Sequence, residues 1–313
     1  MSGYYLLYNG DFAYNKSYSN DYAWGAVKRL DKYEKGCLSS LYFVFRPNDN
    51  IDSDYLTHYF ESSKWHKGIS NIAGEGARNH GLLNMAVDDY FATKHYLPSL
   101  PEQKKIARVF NAITRRIGIQ NKIIEDLKVL KKELNYSLIG RIINGKSSNC
   151  KIEDVIDYEQ PTNYIVKSDK YIENGETPVL TANKAFLLGY TIENEGVYNK
   201  SDCIILDDFT LDFKYVNFPF KIKSSAIKIL TAKKDIELRY FYEYLLFLGL
   251  TSHEHKRHYI SEIAPLPLYL PSIDEQRSAL SALNSISEKI KVEENYIIAL
   301  KAQKCFFLRT MFI

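Results

Sequence analysis

The chain contains a long internal repeat. The run Leu97-Pro-Ser-Leu-Pro-Glu-Gln returns as Leu270-Pro-Ser-Ile-Asp-Glu-Gln, at an offset of 173 residues (270 − 97). The same offset relates residues as far as Leu138 and Met311. Solenoid repeats are only about 20 to 50 residues long. The repeat therefore indicates duplication of a whole domain together with a following helix.

Each copy of the motif begins as a helix begins. Proline lies just outside, Ser99 or Ser272 can cap, and Glu102 or Glu275 follows three residues later as in a capping box. The first predicted helix covers roughly 100–144 and ends at an Asn-Gly pair, and the second runs from about 272 to the end. Both are far longer than an ordinary surface helix.

Both predicted helices carry an apolar seam with alternating spacings of three and four. The first seam is Ile106, Phe110, Ile113, Ile117, Gln120, Ile124, Leu127, Lys131, Leu134 and Leu138. The second is Ala279, Leu283, Ile286, Ile290, Glu293, Ile297, Leu300, Lys304, Phe307 and Met311. This pattern predicts a coiled coil. Polar residues interrupt both seams at equivalent places, which favours a role in fixing register over side chains that merely reach solvent.

Length and charge agree with a two-domain globular protein. The chain has 313 residues, of which 45% are hydrophobic and 25% charged, and its net charge is +3. The basic residues concentrate on the first long helix: Lys104, Lys105, Arg108, Arg115, Arg116, Lys122, Lys128, Lys131, Lys132, Arg141 and Lys146. Such a helix suggests a polyanionic partner, and a solvated helix face is the alternative.

The four cysteines (Cys37, Cys150, Cys203 and Cys305) lie far apart in the sequence. Their spacing predicts free thiols rather than a disulfide framework or a zinc site. The sequence shows neither a signal-peptide pattern nor an apolar run long enough to span a bilayer. We therefore expect a cytoplasmic protein with no membrane contact.

Two globular segments accompany the helices and resemble each other faintly. The strand-like run 38–45 is similar to 223–230. On this alignment the first segment has no counterpart to roughly 152–198, so we expect a first domain truncated at its start. The predicted domains are 1–96, 97–146 (central long helix), 147–269 and 270–313 (C-terminal long helix). The predicted class is α+β, with two globular α/β domains alternating with two helices that pack as an antiparallel coiled coil.

Locally, turn residues and β-branched runs predict strands at 39–46, 178–181, 203–207 and 226–230. Helical spacing of aromatic residues predicts helices over 54–67 and 236–248.

The repeated motif resembles that of the DNA-specificity subunits of type I restriction–modification systems, which carry two target-recognition domains, each followed by a helix introduced by Leu-Pro-x-Leu-x-Glu-Gln. Segment 147–269 is similar to one variety of recognition domain, through Thr177-Pro-Val-Leu-Thr-Ala-Asn-Lys-Ala-Phe-Leu-Leu-Gly-Tyr-Thr, Asp207-Asp-Phe-Thr, Phe218-Pro-Phe-Lys-Ile-Lys-Ser-Ser and His255-Lys-Arg-His-Tyr-Ile-Ser. The likeness covers essentially the whole chain.

The resemblance implies a subunit without chemistry of its own. It would bind double-stranded DNA at a split site and dock methyltransferase (M) and restriction (R) subunits, in defence against foreign DNA. S-adenosylmethionine, ATP and Mg²⁺ would be bound only by those partners, so no cofactor and no metal is expected here. The implied docking and coiled-coil residues are Ile106, Ile113, Ile117, Gln120, Ile124, Leu127, Ile286, Ile290, Glu293, Ile297 and Leu300.

Candidate DNA contacts are cationic, amide, hydroxyl and aromatic side chains in loops. In the second segment they are Asn183, Lys184, Tyr190, Lys221, Lys223, Ser224, Ser225, Lys256, Arg257, His258 and Tyr259. In the first segment they are Asn15, Lys16, Arg78, Asn79 and His80. Such groups can contact phosphates and base edges. Solvated loops, or serines and turns with a purely structural role, are the alternative.

Other chemistry is not favoured. His253, His255 and His258 lack a carboxylate or cysteine partner for a metal, and the Asp207-Asp208 pair is equally typical of a turn or an ion pair. Neither a phosphate-binding loop nor a nucleophile elbow occurs.

Two other functions stay open. The chain could be a silent or decoy subunit that occupies methyltransferase subunits without productive DNA recognition. It could also be a half-subunit that acts as a homodimer on a palindromic site.

Overall fold

The structure is a computed structural model, and it describes residues 3–19, 22–73, 81–183, 185–233, 235–252, 254 and 256–312. The chain forms two compact units. Unit 1 consists of Met1–Glu125 and Val292–Ile313, and unit 2 of Asp126–Lys291. Each unit thus contains part of both long helices. The domain boundaries at 96, 146 and 269 stay predictions.

The described residues of unit 1 combine short strands, short helices and parts of the long helices. Its strands are β1 (Tyr4–Tyr8), β2 (Phe12–Asn15), β3 (Ala26–Arg29), β4 (Lys35–Ser39) and β5 (Phe43–Phe45). Its short helices are α1 (Ser53–Tyr59), α2 (His66–Ile72) and α3 (Val87–Phe91), and the first long helix is α4 (Leu100–Ile143).

The strands named above form small antiparallel sheets in the orders β1–β4 and β3–β2–β5. The core is strongly aromatic. Tyr14 of β2 stacks on Tyr90 of α3 with ring centroids 4.7 Å apart, and its ring meets Trp65 edge-on. Phe110 of α4 and Phe312, which follows the second long helix, stack at 5.3 Å and are both buried. The long helices therefore supply one wall of this core.

Unit 2 is richer in strands. They are β6 (Cys150–Lys151), β7 (Ile156–Glu159), β8 (Thr177–Leu180), β9 (Leu187–Thr191), β10 (Cys203–Asp207), β11 (Phe213–Val216), β12 (Lys221–Ile222), β13 (Ile227–Ala232) and β14 (Pro267–Leu268). The helices are α5 (Ile152–Val155), α6 (Leu238–Leu248) and the second long helix α7 (Ile273–Thr310). A π-helical turn covers Tyr259–Ile263.

The sheets of unit 2 have strand orders β11–β10–β13–β7, β12–β8–β9 and β14–β6. Strand β12 runs parallel to β8, and the other pairs are antiparallel. Strand β10 is buried on both faces. Ile204 and Leu206 join the core that contains α6, whereas Cys203 and Ile205 join the core shared with β8 and β12. Alternate side chains on a strand point to opposite faces, so β10 lies between two cores.

The two long helices are antiparallel. Within unit 1, Gln120 contacts Glu293, and the guanidinium of Arg116 lies over the ring of Tyr296, 5.2 Å from its centroid. The predicted α+β class with a coiled-coil pair is confirmed. In the part of the chain that the structure describes, no helix has the length and apolar character needed to cross a membrane.

Two local predictions were wrong in extent. The run predicted as one strand over 39–46 is divided between β4 and β5, because Ser40–Tyr42 forms a turn. The helix predicted over 54–67 is divided into α1 and α2. The side chain of Ser62 donates to the carbonyl of Tyr59 at 2.6 Å and helps to end the first helix there.

Candidate functional site

The glutamine of each repeated motif ties a long helix to its globular neighbour. The Oε1 of Gln103 accepts from the backbone N–H of Asp52 at 2.8 Å, and its Nε2 donates to the carbonyl of the first proline in its own motif. Gln276 makes the same two bonds, with Glu237 in place of Asp52. Asp52 and Glu237 are the N-caps of α1 and α6, and both glutamines are buried.

Sequence reasoning identified this motif only as a helix start. The capping box is confirmed at the second copy, where the Oε2 of Glu275 accepts from the backbone N–H of Ser272 at 2.9 Å. The glutamine's role was missed. The available signal was that the glutamine occurs in both copies of the motif. A glutamine that is buried at such a position needs several hydrogen-bond partners, which its neighbours must supply.

The lysines that interrupt the seams reach carboxylates of the globular parts. Lys131 pairs with Glu243 of α6 at 2.7 Å in unit 2, and Lys304 pairs with Glu61 at 2.9 Å in unit 1. Burial alone would raise the pKa of Glu61. Hydrogen bonds from His58 and Lys304 outweigh burial and lower it to about 2. Each unit therefore has the same kind of ionic attachment to the repeat's helices.

The other polar seam pair lies within the seam itself. The amide Nε2 of Gln120 donates to the carboxylate of Glu293, and the Gln120 side chain is buried. This contact agrees with a role in register, because a shifted pairing would leave a buried amide opposite apolar side chains.

The predicted seam residues are buried or half-buried throughout. Those with less than a tenth of their surface exposed include Ile106, Gln120, Ile124, Ile290, Ile297 and Leu300. Ile113, Ile117, Leu127, Ile286 and Glu293 are half-buried. These side chains hold the helices against their neighbours, so little of their surface is left for a separate partner. Exposed apolar side chains lie elsewhere on the long helices: Ile119, Ile123, Val129, Leu130, Val292 and Ile298.

The basic cluster 256–259 divides into exposed and buried members. Lys256 and Arg257 are exposed, whereas His258 and Tyr259 are buried. Lys256 forms ion pairs with Glu254 at 2.6 Å and with Glu262 at 2.8 Å. The hydrogen bonds that Lys256 donates to these two carboxylates raise its pKa.

The imidazole of His258 is enclosed by polar groups. Its Nδ1 lies 2.7 Å from Glu262 and its Nε2 lies 2.8 Å from the hydroxyl of Ser252. The hydrogen bond with Glu262 raises its pKa. His258 is thus positioned to hold the loop rather than to contact a ligand.

The candidates near β12 also differ in exposure. Lys221 is buried, and its ammonium group contacts Glu193 at 3.2 Å and the carbonyl of Glu195 at 2.6 Å. Lys223 pairs with Asp169, which raises the pKa of this lysine. Ser224 accepts a backbone hydrogen bond in a turn, and Ser225 is exposed. The buried Lys221 is therefore committed to an internal partner.

The remaining candidates are scattered. Asn183 is exposed at a turn, Tyr190 of β9 is half-buried, and Lys184 lies outside the described residues. In unit 1 the side chain of Asn15 accepts from Ser17 at 2.9 Å. The Nζ of Lys16 lies 4.6 Å from the ring centroid of Phe43, while Arg78, Asn79 and His80 fall outside the described residues.

The Asp207-Asp208 pair serves two structural purposes. Asp207 accepts from the backbone N–H groups of Phe209 and Thr210 in the turn after β10. Asp208 is buried beside Lys228, with its Oδ2 3.5 Å from the ammonium nitrogen. The pair thus has the turn and ion-pair roles predicted as the alternative to metal binding. Among the described residues, no group of three or more His, Cys, Asp or Glu side chains could hold a metal ion.

Comparisons with known proteins agree with this architecture. No protein-family model matches the chain. A curated relative, the type I restriction enzyme EcoR124I/EcoR124II specificity subunit of Escherichia coli, is 40% identical over 139 residues, which are 42% of this chain and 34% of that protein. The matched segment thus spans about a third of the relative's length.

The fold itself has relatives among solved structures. The S subunit of a type I restriction–modification system from M. genitalium has a TM-score of 0.59 at 15% identity, and the match covers 98% of this chain and 84% of that one. A chain from a study of type I system assembly and conformational transition has a TM-score of 0.57 at 15% identity, with coverage of 98% and 83%. The chain thus has the specificity-subunit fold. The resemblance to type I DNA-specificity subunits is confirmed.

Proposed function

We propose that this chain is a DNA-specificity subunit that directs methyltransferase and restriction subunits to a bipartite site on double-stranded DNA, and that it is itself non-catalytic. One observation carries the proposal. Gln103 and Gln276 attach two different globular parts to two long helices in the same way. A duplicated attachment of this kind suits a scaffold that holds two readers.

The dimensions suit a split site. Helix α4 has 44 residues. At a rise of 1.5 Å per residue it is about 66 Å long, which exceeds one turn of DNA at about 34 Å. A subunit that binds DNA in this way would act in the cytoplasm.

Partner subunits would supply the chemistry. We assign their docking to exposed apolar side chains of the long helices, among them Ile119, Val129 and Ile298, rather than to the enclosed seam residues. S-adenosylmethionine, ATP and Mg²⁺ would then be bound by the partners.

A second candidate is supported by one feature of unit 1. Side chains of β1 are strongly exposed, with Tyr4 at 75% and Leu6 at 52%. In unit 2, strand β8, which pairs with β12, is buried over most of its length and contributes to a core. A first reader with an open face fits a subunit in which only unit 2 recognises DNA, either as a homodimer on a palindromic site or as a decoy.

The test is a methylome. The chain is produced with its methyltransferase subunit in a host free of adenine methylation, and the modified adenines are sequenced. A split asymmetric motif would support the two-reader proposal, and a split palindrome would support the homodimer. Absence of methylation from a complex that still co-purifies would support the decoy.

A further inference from the structure

We propose that Asp208 is a positioning residue that joins two loops of unit 2 into one guanine-reading element, with Arg257 as the base contact and Phe209 as its support. This inference rests on the proposed function, because it requires unit 2 to bind DNA. It goes beyond that function by assigning a role to a residue that does not itself touch DNA, and by naming the base that is recognised.

Asp208 is bonded to both loops at once. Its carboxylate Oδ1 accepts from the backbone N–H groups of His258 at 3.1 Å and of Tyr259 at 2.7 Å. Its own N–H donates to the carbonyl of Ala226 at 2.9 Å. Phe209 directly follows Asp208, and Arg257 directly precedes His258. One buried carboxylate thus fixes the distance between the half-buried Phe209 and the exposed Arg257.

The carboxylate is held by a buried cation. Asp208 and Lys228 each have a side chain only 1% exposed. The Lys228 ammonium also lies 5.5 Å from the ring centroid of Tyr158, which packs edge-on against Tyr259. An apolar pair of similar volume would often be as stable as a buried ion pair. The retained charges are therefore better explained by a need for one particular loop geometry.

Arg257 is presented for contact with a base. It is exposed, and its guanidinium carbon lies 6.0 Å from the ring centroid of Phe209. In the described part of the loop no carboxylate pairs with Arg257, whereas Lys256 is engaged by both Glu254 and Glu262. A guanidinium supported on an aromatic ring keeps its planar donor edge free.

The charge of the loop favours base contact over phosphate contact. Between Glu254 and Glu262 the two carboxylates balance the charges of Lys256 and Arg257. A loop whose lysine, arginine and glutamate charges cancel, with only histidines as further titratable cations, has little general attraction for the phosphate backbone. A bidentate arginine pair with the O6 and N7 atoms of guanine in the major groove is therefore the contact that this geometry suits.

The test uses the full chain with its methyltransferase subunit and a randomised DNA duplex library, from which the bound sequences are selected and read. The wild type gives the preference at each position. Arg257→Ala is expected to remove roughly 10- to 100-fold discrimination for guanine at one position and to leave the others unchanged. Arg257→Lys is expected to recover only part of it, because an ammonium cannot form the bidentate pair.

Two double variants isolate Asp208. Asp208→Asn with Lys228→Met removes both buried charges but keeps a carbonyl acceptor for the loop, so the guanine preference is expected to persist. Asp208→Leu with Lys228→Met removes the acceptor as well, so the preference is expected to disappear with the same pattern as in Arg257→Ala. Thermal melting of both variants checks that the unit stays folded. If the two variants melt at the same temperature, a loss of guanine preference in the Leu/Met variant alone is due to the missing acceptor.

The failures are distinguishable. A wild type without any sequence preference overturns both the proposed function and this inference. A wild-type preference that survives Arg257→Ala or the Leu/Met variant overturns the inference alone. So does a uniform loss of affinity for all sequences in Arg257→Ala with a smaller salt dependence, since that result marks a phosphate contact.

Discussion

Units 1 and 2 share an attachment to the long helices but differ in what covers their sheets. In unit 1, Phe12 pairs with Phe45 and Ala13 with Val44. In unit 2, Ile204 pairs with Leu230 and Ile205 with Ile229 in the same antiparallel order. The central strands thus correspond through β2 with β10 and β5 with β13.

The difference appears beside the central strands. In unit 2 the strand before β13 is β12, which pairs with β8 and so belongs to a second sheet. In unit 1 the strand before β5 is β4, which pairs with β1. The described residues of unit 1 contain no counterpart of the β8–β9 hairpin. One core packed against the long helices is therefore enough to hold the central strands in both units. Unit 2 has a second core in addition.

This contrast predicts unequal responses at equivalent positions. Ile229 is fully buried between two sheets, whereas its counterpart Val44 is half-buried. Ile229→Ala should cost about 4 kcal/mol of the free energy of unfolding, because the cavity cannot be refilled. Val44→Ala should cost about 1 kcal/mol. Urea unfolding followed by hydrogen exchange in each unit measures both, and equal costs would contradict the contrast.

The shared attachment predicts equal responses instead. Gln276→Leu removes hydrogen bonds to buried backbone groups and should destabilise unit 2 by about 3 kcal/mol. Gln103→Leu should do the same in unit 1. Hydrogen exchange at the first turns of α6 and α1 reports each change. A large effect in one unit and none in the other would show that the two glutamines are not equivalent.

Acid should act on unit 1 through Glu61. Its folded-state pKa of about 2 is below the ordinary value of 4.5. The contribution of ionised Glu61 to the stability of unit 1 is thus complete above about pH 4.5 and is lost as the pH falls towards 2. We expect a loss on the order of 2 kcal/mol over this range. Lys304→Met serves as the control, since it should weaken unit 1 at neutral pH and reduce this acid dependence. An unchanged pH profile in that variant would exclude Lys304 as a cause.

The smallest effect is expected on the open face of unit 1. Leu6 of β1 is 52% exposed. Leu6→Thr introduces a β-branched residue, which a strand accommodates well, at an exposed position and should change stability by less than about 0.5 kcal/mol. Ile222→Thr in the covered sheet of unit 2 is the matched comparison and should cost several times more, as measured by thermal melting. A marked loss in Leu6→Thr would show that this face is covered in solution.

The regular parts of the fold were predictable because they rest on periodicity. The seam spacing and the Asn-Gly stop predicted α4 within a residue or so, and Cys203–Asp207 was predicted as a strand from its β-branched run. The strand and helix that were each divided in two lack a Gly or Pro at the break. Local turns such as Ser40–Tyr42 depend on tertiary contacts that the sequence does not display.

The candidate site was less predictable. Basic and aromatic residues in 256–259 look alike in the sequence, yet the structure buries His258 and Tyr259 and exposes Lys256 and Arg257. What separates them is the carboxylate of Asp208, which is distant in the sequence and near only after folding. Residue types indicate which groups can bind DNA, whereas exposure depends on partners from other strands.

The bonds of Gln103 and Gln276 have a consequence for how such a protein changes over generations. Both side chains bond to main-chain atoms: the N–H of a helix cap and carbonyl groups nearby. Main-chain atoms are the same whatever the local sequence. A new globular part can therefore replace an old one without a compensating change in the helices, provided that a helix begins at the same place. The attachment stays constant while the sequences of the globular parts are free to diverge.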